Sequence, residues 1–282
     1  MTVINTNTGS IYAQHALISN SRGLDRTMQQ LSTGRRINNS VDDVAGMAIA
    51  TRLSSQIRGL NQAVRNANDG ISIIQTAEGA TEQVTNMLQR MRELAVQASN
   101  DTYNTDDRTF LNMEFQALNS QIDVIANNTQ WNAANILNGP TRDNGSGVFS
   151  FQVGANAQQT IDITFPNLRT SGTGSPLLSS IVQTSITSTT VANSALGTIS
   201  SALDKVNLER AKMGAIISRL EFTSDNLFSV SAKASESRSR IEDTDYSVAT
   251  TDLARRNIIQ QAAQSMLAQA NQAPQLVLQL LK

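Results

Sequence analysis

His15 is the only imidazole in this 282-residue chain, and there are no cysteines. Standing between Gln14 and Ala16, it has no second histidine or cysteine with which to complete a zinc site or a nucleophilic triad. It reads as a polar residue of a helix or coil. The adjacent acids of "VDDVAG", Asp42 and Asp43, suggest a paired general acid and base, but the helix dipole by itself favours carboxylates in a first turn. "VGANAQQ" and "RTSGTGSP" supply glycines without the lysine or the spacing of a phosphate loop, and the second reads as linker. The basic runs "GRR" (Gly34–Arg36) and "ARR" (Ala254–Arg256) are too brief for a nucleic-acid surface, although they could face negative surfaces in an assembly. The formal net charge of -1 offers a polyanion no general attraction. No catalytic, cofactor-binding or metal-ligating set emerges, so the chemistry to explain is association.

The spacing of apolar residues is informative about association. Ala50, Leu53, Ile57, Leu60, Val64, Ala67, Ile71 and Ile74 recur at alternating steps of three and four. Glu78 and Thr81 interrupt the run, and Val84, Leu88, Met91, Ala95 and Ala98 resume its phase. A repeat averaging 3.5 is the coiled-coil signature, and at ~1.5 Å per residue the helix is on the order of 70 Å long. Ser40 with Asp43 resembles a start signal, and "SNDTYNTDD" a stop and restart. Leu111, Phe115, Leu118, Ile122 and Ile125 then predict a shorter helix folding back on the first.

The middle changes period. Phe149, Phe151 and Val153, then Ile161, Ile163 and Phe165, alternate with polar residues around "GANAQQ", which predicts a β-hairpin that needs a surface to lie on. A second long helix follows on Ile199, Ala202, Val206, Glu209, Met213, Ile216, Leu220, Thr223, Leu227, Val230, Ala234, Ser237 and Ile241, thin at Glu209, Thr223 and Ser237. The ends carry weaker stripes. One is Leu17, Leu24, Met28 and Leu31, stopping at Gly34; the other is Ala249, Leu253, Arg256, Ile259, Ala263, Met266 and Ala270, followed by Leu278 and Leu281 in "PQLVLQLLK". Each is marginal as an isolated helix and gains from pairing. The expected fold is mainly α, a long antiparallel helical rod or coiled coil with a small central β-hairpin. The expected segments are 1–43 (terminal helix and spacer), 44–139 (rod helices), 140–175 (hairpin and loops), 176–245 (returning rod helix) and 246–282 (terminal helix).

The opening "MTVINTNTGSIYAQHALISN" lacks a basic start followed by an apolar block, and no apolar run approaches the roughly 20 residues that span a membrane. Neither a cleaved export signal nor membrane insertion is expected.

Longer stretches carry a resemblance. "LSTGRRINNSVDDVAGMAIATRLSSQIRGLNQAVRNANDGISIIQTAEGATEQVTNMLQRMRELAVQASN" (Leu31–Asn100) closely resembles the N-terminal region of bacterial flagellin, and "SRSRIEDTDYSVATTDLARRNIIQQAAQSMLAQANQAPQLVLQLLK" (Ser237–Lys282) its C-terminal region. The opening "VINTN" and the strand "FQVGANAQQTI" extend the match over most of the chain. The centre departs from it. Many flagellins insert large outer domains there, and this chain has little room for one, so the resemblance implies a comparatively smooth filament.

The resemblance implies a structural subunit, not an enzyme, that polymerises into the extracellular flagellar filament and transmits motor rotation. Flagellins pair their terminal regions along the inner tube, place the long helices around it and turn the middle outward. They leave the cell unfolded through the type III export apparatus, guided by a cytosolic export chaperone, and add beneath the cap beyond the hook-filament junction proteins. The filament also switches supercoil by small packing shifts. Ala50, Gly59, Gly70 and Gly79 would permit such shifts, or are simply tolerated by the seam. In similar flagellins, residues matching Arg90, Leu94 and Glu114, within "LQRMRELAVQ" and "FLNMEF", belong to the surface bound by the host Toll-like receptor for flagellin. Their plainer reading is a solvated helix face, with Leu94 packing against a neighbouring helix or subunit. A hook-filament junction protein and a secreted adhesin are the alternative functions; "RNANDGISIIQTAEGA" and "SRIEDTDYSVAT" favour the filament protein over the first.

Overall fold

The computed structural model describes residues 6–139, 148–170, 176–181 and 184–280, with side chains as far as residue 272. Among these residues it is mainly α, with helices α1 (Thr8–Thr33), α2 (Val44–Ala98), α3 (Thr105–Asn128), α4 (Thr189–Glu242) and α5 (Tyr246–Leu280). The strands are short: β1 (Gln130–Trp131), β2 (Ala134–Asn135), β3 (Val148–Gln152) and β4 (Thr160–Thr164). The chain divides into two compact units, Met1–Ile57 with Ala232–Lys282, and Arg58–Ser231. No helix among the described residues is long and apolar enough to cross a membrane.

In the unit 58–231, α2 and α4 run antiparallel. Ser231 Oγ donates to Asn61 Oδ1 at 2.8 Å, Arg210 meets Glu78 at 3.6 Å, and Thr189 Oγ1 donates to Asp101 Oδ1 at 3.1 Å, so partners climb α2 as they descend α4. Ile57, Leu60, Ile74, Val84, Leu88 and Met91 of α2 are buried, as are Val206, Met213, Leu220 and Leu227 of α4. Leu53, Val64, Ile71, Ile216 and Ile241 are half-buried. Thr81, expected as an interruption, is fully buried: its hydroxyl donates to the Ala77 carbonyl oxygen at 2.7 Å, so no polar group is left unpaired there.

Two details of the seams differ from the expected narrow one. The buried face of α2 also takes in Ala63, Ile73, Ala77 and Leu94, because helix α3, helix α4 and the β3–β4 hairpin all pack in this unit and a single stripe would leave partners uncovered. On α4 the buried position after Leu227 is Ser231, while Val230 is 38% exposed. The Ser231–Asn61 hydrogen bond occupies the step expected for Val230.

Local chemistry sets the helix ends. Asp43 Oδ1 accepts the Gly46 N–H at 2.8 Å and caps α2, with Ser40 in the preceding turn. Asn104 and Asp107 form a capping box at α3, where Asp106 and Asp107 also favour the dipole.

β3 and β4 pair antiparallel with Phe149 opposite Ile163 and Phe151 opposite Ile161, so apolar residues share one face. Phe149 and Phe165 meet edge to face at 5.3 Å. The hairpin lies on α2: Asn66 Nδ2 donates to the Gln152 carbonyl oxygen at 2.9 Å. A Cβ on Gly59 would stand 3.1 Å from Ala155, and one on Gly70 would stand 3.2 Å from Leu220, whereas Gly79 faces open space. Of these three α2 glycines, Gly59 and Gly70 thus serve close packing.

The segment after the hairpin is core cover. Leu168, Leu178, Ile181 and Ile186 are fully buried. Thr170 donates through N–H and Oγ1 to the two Asp123 carboxylate oxygens, each at 2.7 Å, fixing one side of the expected linker. Residues 171–175 of that linker lie outside the described residues.

Candidate assembly and recognition surfaces

In the other unit α1 and α5 pair antiparallel, through polar residues as much as apolar ones. Asn7 caps α1 by accepting the Ser10 N–H at 3.0 Å, and its Nδ2 donates to the Ala270 carbonyl oxygen at 2.8 Å. Asn20 Nδ2 donates to the Arg256 carbonyl oxygen at 2.9 Å, and Tyr246 Oη to that of Leu31 at 3.3 Å. Only Asn20 and Thr27 of α1 are buried; Leu17, Leu24 and Leu31 are half-buried. Leu253 of α5 is half-buried too, but Met28, Ile259 and Met266 are 56%, 44% and 62% exposed. The inward steps expected for these three belong to their neighbours Thr27, Gln260 and Leu267. Leu278 and Leu281 lie outside the described side chains.

The spacers at the base of this pair clasp each other. Gly34, in the left-handed region at φ 72°, ends α1 and gives its N–H to the Gln30 carbonyl oxygen. Arg36 N–H then donates to the Glu242 carbonyl oxygen at 2.6 Å, and Thr244 N–H to that of Gly34 at 3.0 Å, making a bridge between two chain segments. The arginines of "GRR" serve this clasp: Arg35 pairs with Glu242 at 3.0 Å, and Arg36 donates to the Ile241 carbonyl oxygen at 2.7 Å. Asp42 accepts the Asn38 and Asn39 N–H groups and pairs with Arg26 at 3.1 Å. The two acids of "VDDVAG" thus have structural partners, one in a turn and one at a helix cap. His15 is exposed on α1. Among the described residues no group of three or more potential ligands could hold a metal ion.

Arg90 and Glu114 come together as expected from a folded-back α3. Arg90 Nε donates to Glu114 Oε1 at 2.9 Å and Nη1 to Glu93 Oε2 at 2.9 Å. The bond to Glu114, then that to Glu93, holds the guanidinium pKa above its ordinary value. Leu94 does not join them at the surface. It is 1% exposed, and this corrects the expectation of an apolar contact there: the wide buried stripe of α2 includes it. Inward-seam spacing cannot find outward apolar residues, among them Phe110, Met113, Leu208, Phe222 and Phe228.

Residues 4–141 match the bacterial flagellin N-terminal helical region, and residues 196–281 the bacterial flagellin C-terminal helical region. The chain belongs to the bacterial flagellin family. It is 42% identical to a flagellin of Halalkalibacterium halodurans, covering 99% of this chain and 100% of that one. Against a flagellin of Bacillus subtilis identity is 38%, with 99% of both chains covered. A structure described as a flagellar hook-associated protein from Vibrio parahaemolyticus aligns over 72% of this chain and 100% of that one, at TM-score 0.59 and 15% identity, a likeness of fold alone. As a flagellin, the chain is a self-assembling structural subunit of the extracellular flagellar filament and serves motility, not catalysis.

Proposed function

We propose that this flagellin enters the filament by burying the outward faces of its α1–α5 pair against neighbouring copies. The observation that carries the reading is the exposure of Met28, Ile259 and Met266 beside a seam whose buried α1 residues are polar. Such a pair hides little apolar surface within one chain and gains more in a polymer. Segments 1–43 and 246–282 form the inner tube, with Leu17, Leu24, Leu31, Leu253, Leu278 and Leu281 among its assembly residues. Segments 44–139 and 176–245 surround the tube, and 140–175 turns outward. Export is through the type III apparatus in the unfolded state, with the apolar C-terminal helix docking on the cytosolic chaperone. Addition takes place beneath the cap, on a filament begun at the junction proteins.

The free monomer also engages the host Toll-like receptor for flagellin, through Arg90 and Glu114, with Leu94 supporting that surface from beneath. Electron microscopy after seeding tests the assembly reading. Wild-type chain should give long tubular filaments, and Met28→Glu with Met266→Glu should abolish them while each monomer keeps its helix content. Short annular stacks from wild type would favour a junction protein, and filaments from the double variant would remove the terminal faces from the mechanism.

A further inference from the structure

We propose that Arg256 and Gly23 set which faces of α1 and α5 meet, and so keep Met28 turned outward; the use of that exposure rests on the assembly reading above. A Cβ built on Gly23 would stand 1.8 Å from Arg256 Nη1, 2.6 Å from its Cζ and 3.3 Å from its Nε. The guanidinium therefore fills the space that any other residue at position 23 would need. Arg256 acts as a key and Gly23 as its slot.

The seam of α1 is not the one that apolar burial would choose. Asn20 and Thr27 are buried, while Met28, next to Thr27, is 56% exposed. Burial alone favours the opposite rotation, with the methionine turned in. At about 100° per residue, Gly23 and Met28 lie ~140° apart around α1, on opposite flanks of the line through Asn20 and Thr27. Seating the guanidinium over Gly23 draws that flank toward α5 and turns the Met28 flank away. Asn20 Nδ2 donates to the carbonyl oxygen of the same arginine at 2.9 Å, so the backbone and the side chain of Arg256 both grip α1.

Neither residue suits a helical seam by itself. Glycine weakens a helix interior relative to alanine. Arg256 is half-buried and makes no ion pair among the described residues, and its Nε is buried without a hydrogen-bond partner. A lone charge held in this way weakens the pair that contains it. One polar residue in a helical seam does, however, select one arrangement of the helices over others. Two locally unfavourable residues that fit each other thus give up stability of the isolated pair for a defined facing.

The native chain has no cysteine, so introduced thiols report the facing directly. A Cβ on Gly9 would stand 3.9 Å from Ala270 Cβ, within disulfide range. Gly9 lies 18 residues, five turns, before Thr27, and Ser10 as far before Met28, so each shares a side of α1 with its counterpart. Full-length monomers carrying Ala270→Cys with either Gly9→Cys or Ser10→Cys are equilibrated in a thiol buffer, and the intramolecular disulfide is quantified by mass. With the key intact, the Gly9→Cys link should be favoured over the Ser10→Cys link by about tenfold or more. Gly23→Ala raises the helix propensity of α1, and Arg256→Met removes the charge at similar length, yet each should cut the preference to about threefold or less. Arg255→Met, on the exposed neighbour, should leave it unchanged. An unchanged preference in Gly23→Ala or Arg256→Met, an equal loss in Arg255→Met, or no Gly9→Cys link with the key intact overturns the proposal. Polymerisation is scored separately, and both key variants should need a higher monomer concentration to form filaments. Loss of the preference with filaments forming as readily as from wild type supports the key and overturns the use of Met28 in assembly.

Discussion

Arg90 Nε stands 2.9 Å from Glu114 Oε1, joining the C-terminal part of α2 to α3 across the turn between them, while Leu94, one turn further along α2, is 1% exposed. Residues adjacent on a helix thus divide between surface and core. Arg90→Ala should leave thermal unfolding nearly unchanged, because exposed ion pairs contribute little to stability. It should weaken binding of the receptor ectodomain to monomer by about tenfold, as loss of a directional anchor does. Leu94→Ala should instead lower stability by ~2–5 kcal/mol, the cost of a cavity in a packed core. Melting curves and receptor titration on both variants check this. Unchanged affinity in folded Arg90→Ala removes that residue from the recognition surface.

The core of the unit 58–231 gives a second prediction. Leu88 and Leu220 are fully buried, whereas Gln89 is exposed beside Leu88 on the same helix. Leu88→Ala or Leu220→Ala should each cost ~2–5 kcal/mol, and Gln89→Ala within about 0.5 kcal/mol of nothing. Chemical denaturation of the monomer checks the order. Equal midpoints for all three would place the core on another face.

The long helices were legible because a 3.5-residue step sustained over many heptads leaves few alternatives, and the hairpin because Phe149, Phe151, Ile161 and Ile163 alternate. Capping was legible in part: Asp43 holds the start of α2, and Ser40 does not. Seam positions were less secure wherever a polar residue could take an apolar residue's step. Thr81 does so by bonding the carbonyl oxygen four residues back in its own helix, and Ser231 by bonding Asn61, a partner that local spacing does not imply. The same uncertainty moved the α1–α5 seam off Met28 and Ile259, whose inward steps go to Thr27 and Gln260, while Met266 gives way to the adjacent Leu267. Leu94 was misread because the width of a buried stripe depends on how many elements surround a helix, which is a tertiary property. The surfaces open to neighbours stayed hidden because an amphipathic pattern reports the inward face first.

Glu236 allows a test by pH. Its carboxylate lies 3.2 Å from Lys233 Nζ and 2.7 Å from Arg240 Nη2. The bond and charge of Lys233, then those of Arg240, lower its pKa below the ordinary value. A carboxyl whose pKa is lower in the folded than in the unfolded state contributes stability that is fully present above the unfolded value. That contribution is lost as pH falls through the folded one. The effect should be small, since all three side chains are well exposed. Carboxyl NMR titration should give Glu236 a lower midpoint in the native chain than in Lys233→Ala with Arg240→Ala. Identical midpoints would show that the triad does not persist in solution.

The last prediction concerns the ends. Helix α1 has 26 residues, yet its buried residues are Asn20 and Thr27, and its ties to α5 are a few hydrogen bonds beside leucines that are only half-buried. Ordering a residue costs about 1–2 kcal/mol in backbone entropy, and a neutral hydrogen bond returns about 1 kcal/mol. Without more apolar burial this pair belongs to the least stable part of the monomer, while the unit 58–231 carries the global stability. The outward Met28, Ile259 and Met266 supply the missing burial only when a neighbouring copy covers them. Residues 8–43 and 246–272 should therefore exchange amide hydrogens rapidly in the monomer and be strongly protected in the filament. Residues 58–98 should be protected in both. Removing both ends should leave a folded helical protein that does not polymerise. Asn20→Ala, which deletes the bond to the Arg256 carbonyl oxygen, should slow polymerisation without shifting the unfolding of the core. Strong and equal protection of the ends in monomer and filament would show that α1 and α5 are already stable as a pair, and that assembly draws its free energy from another surface.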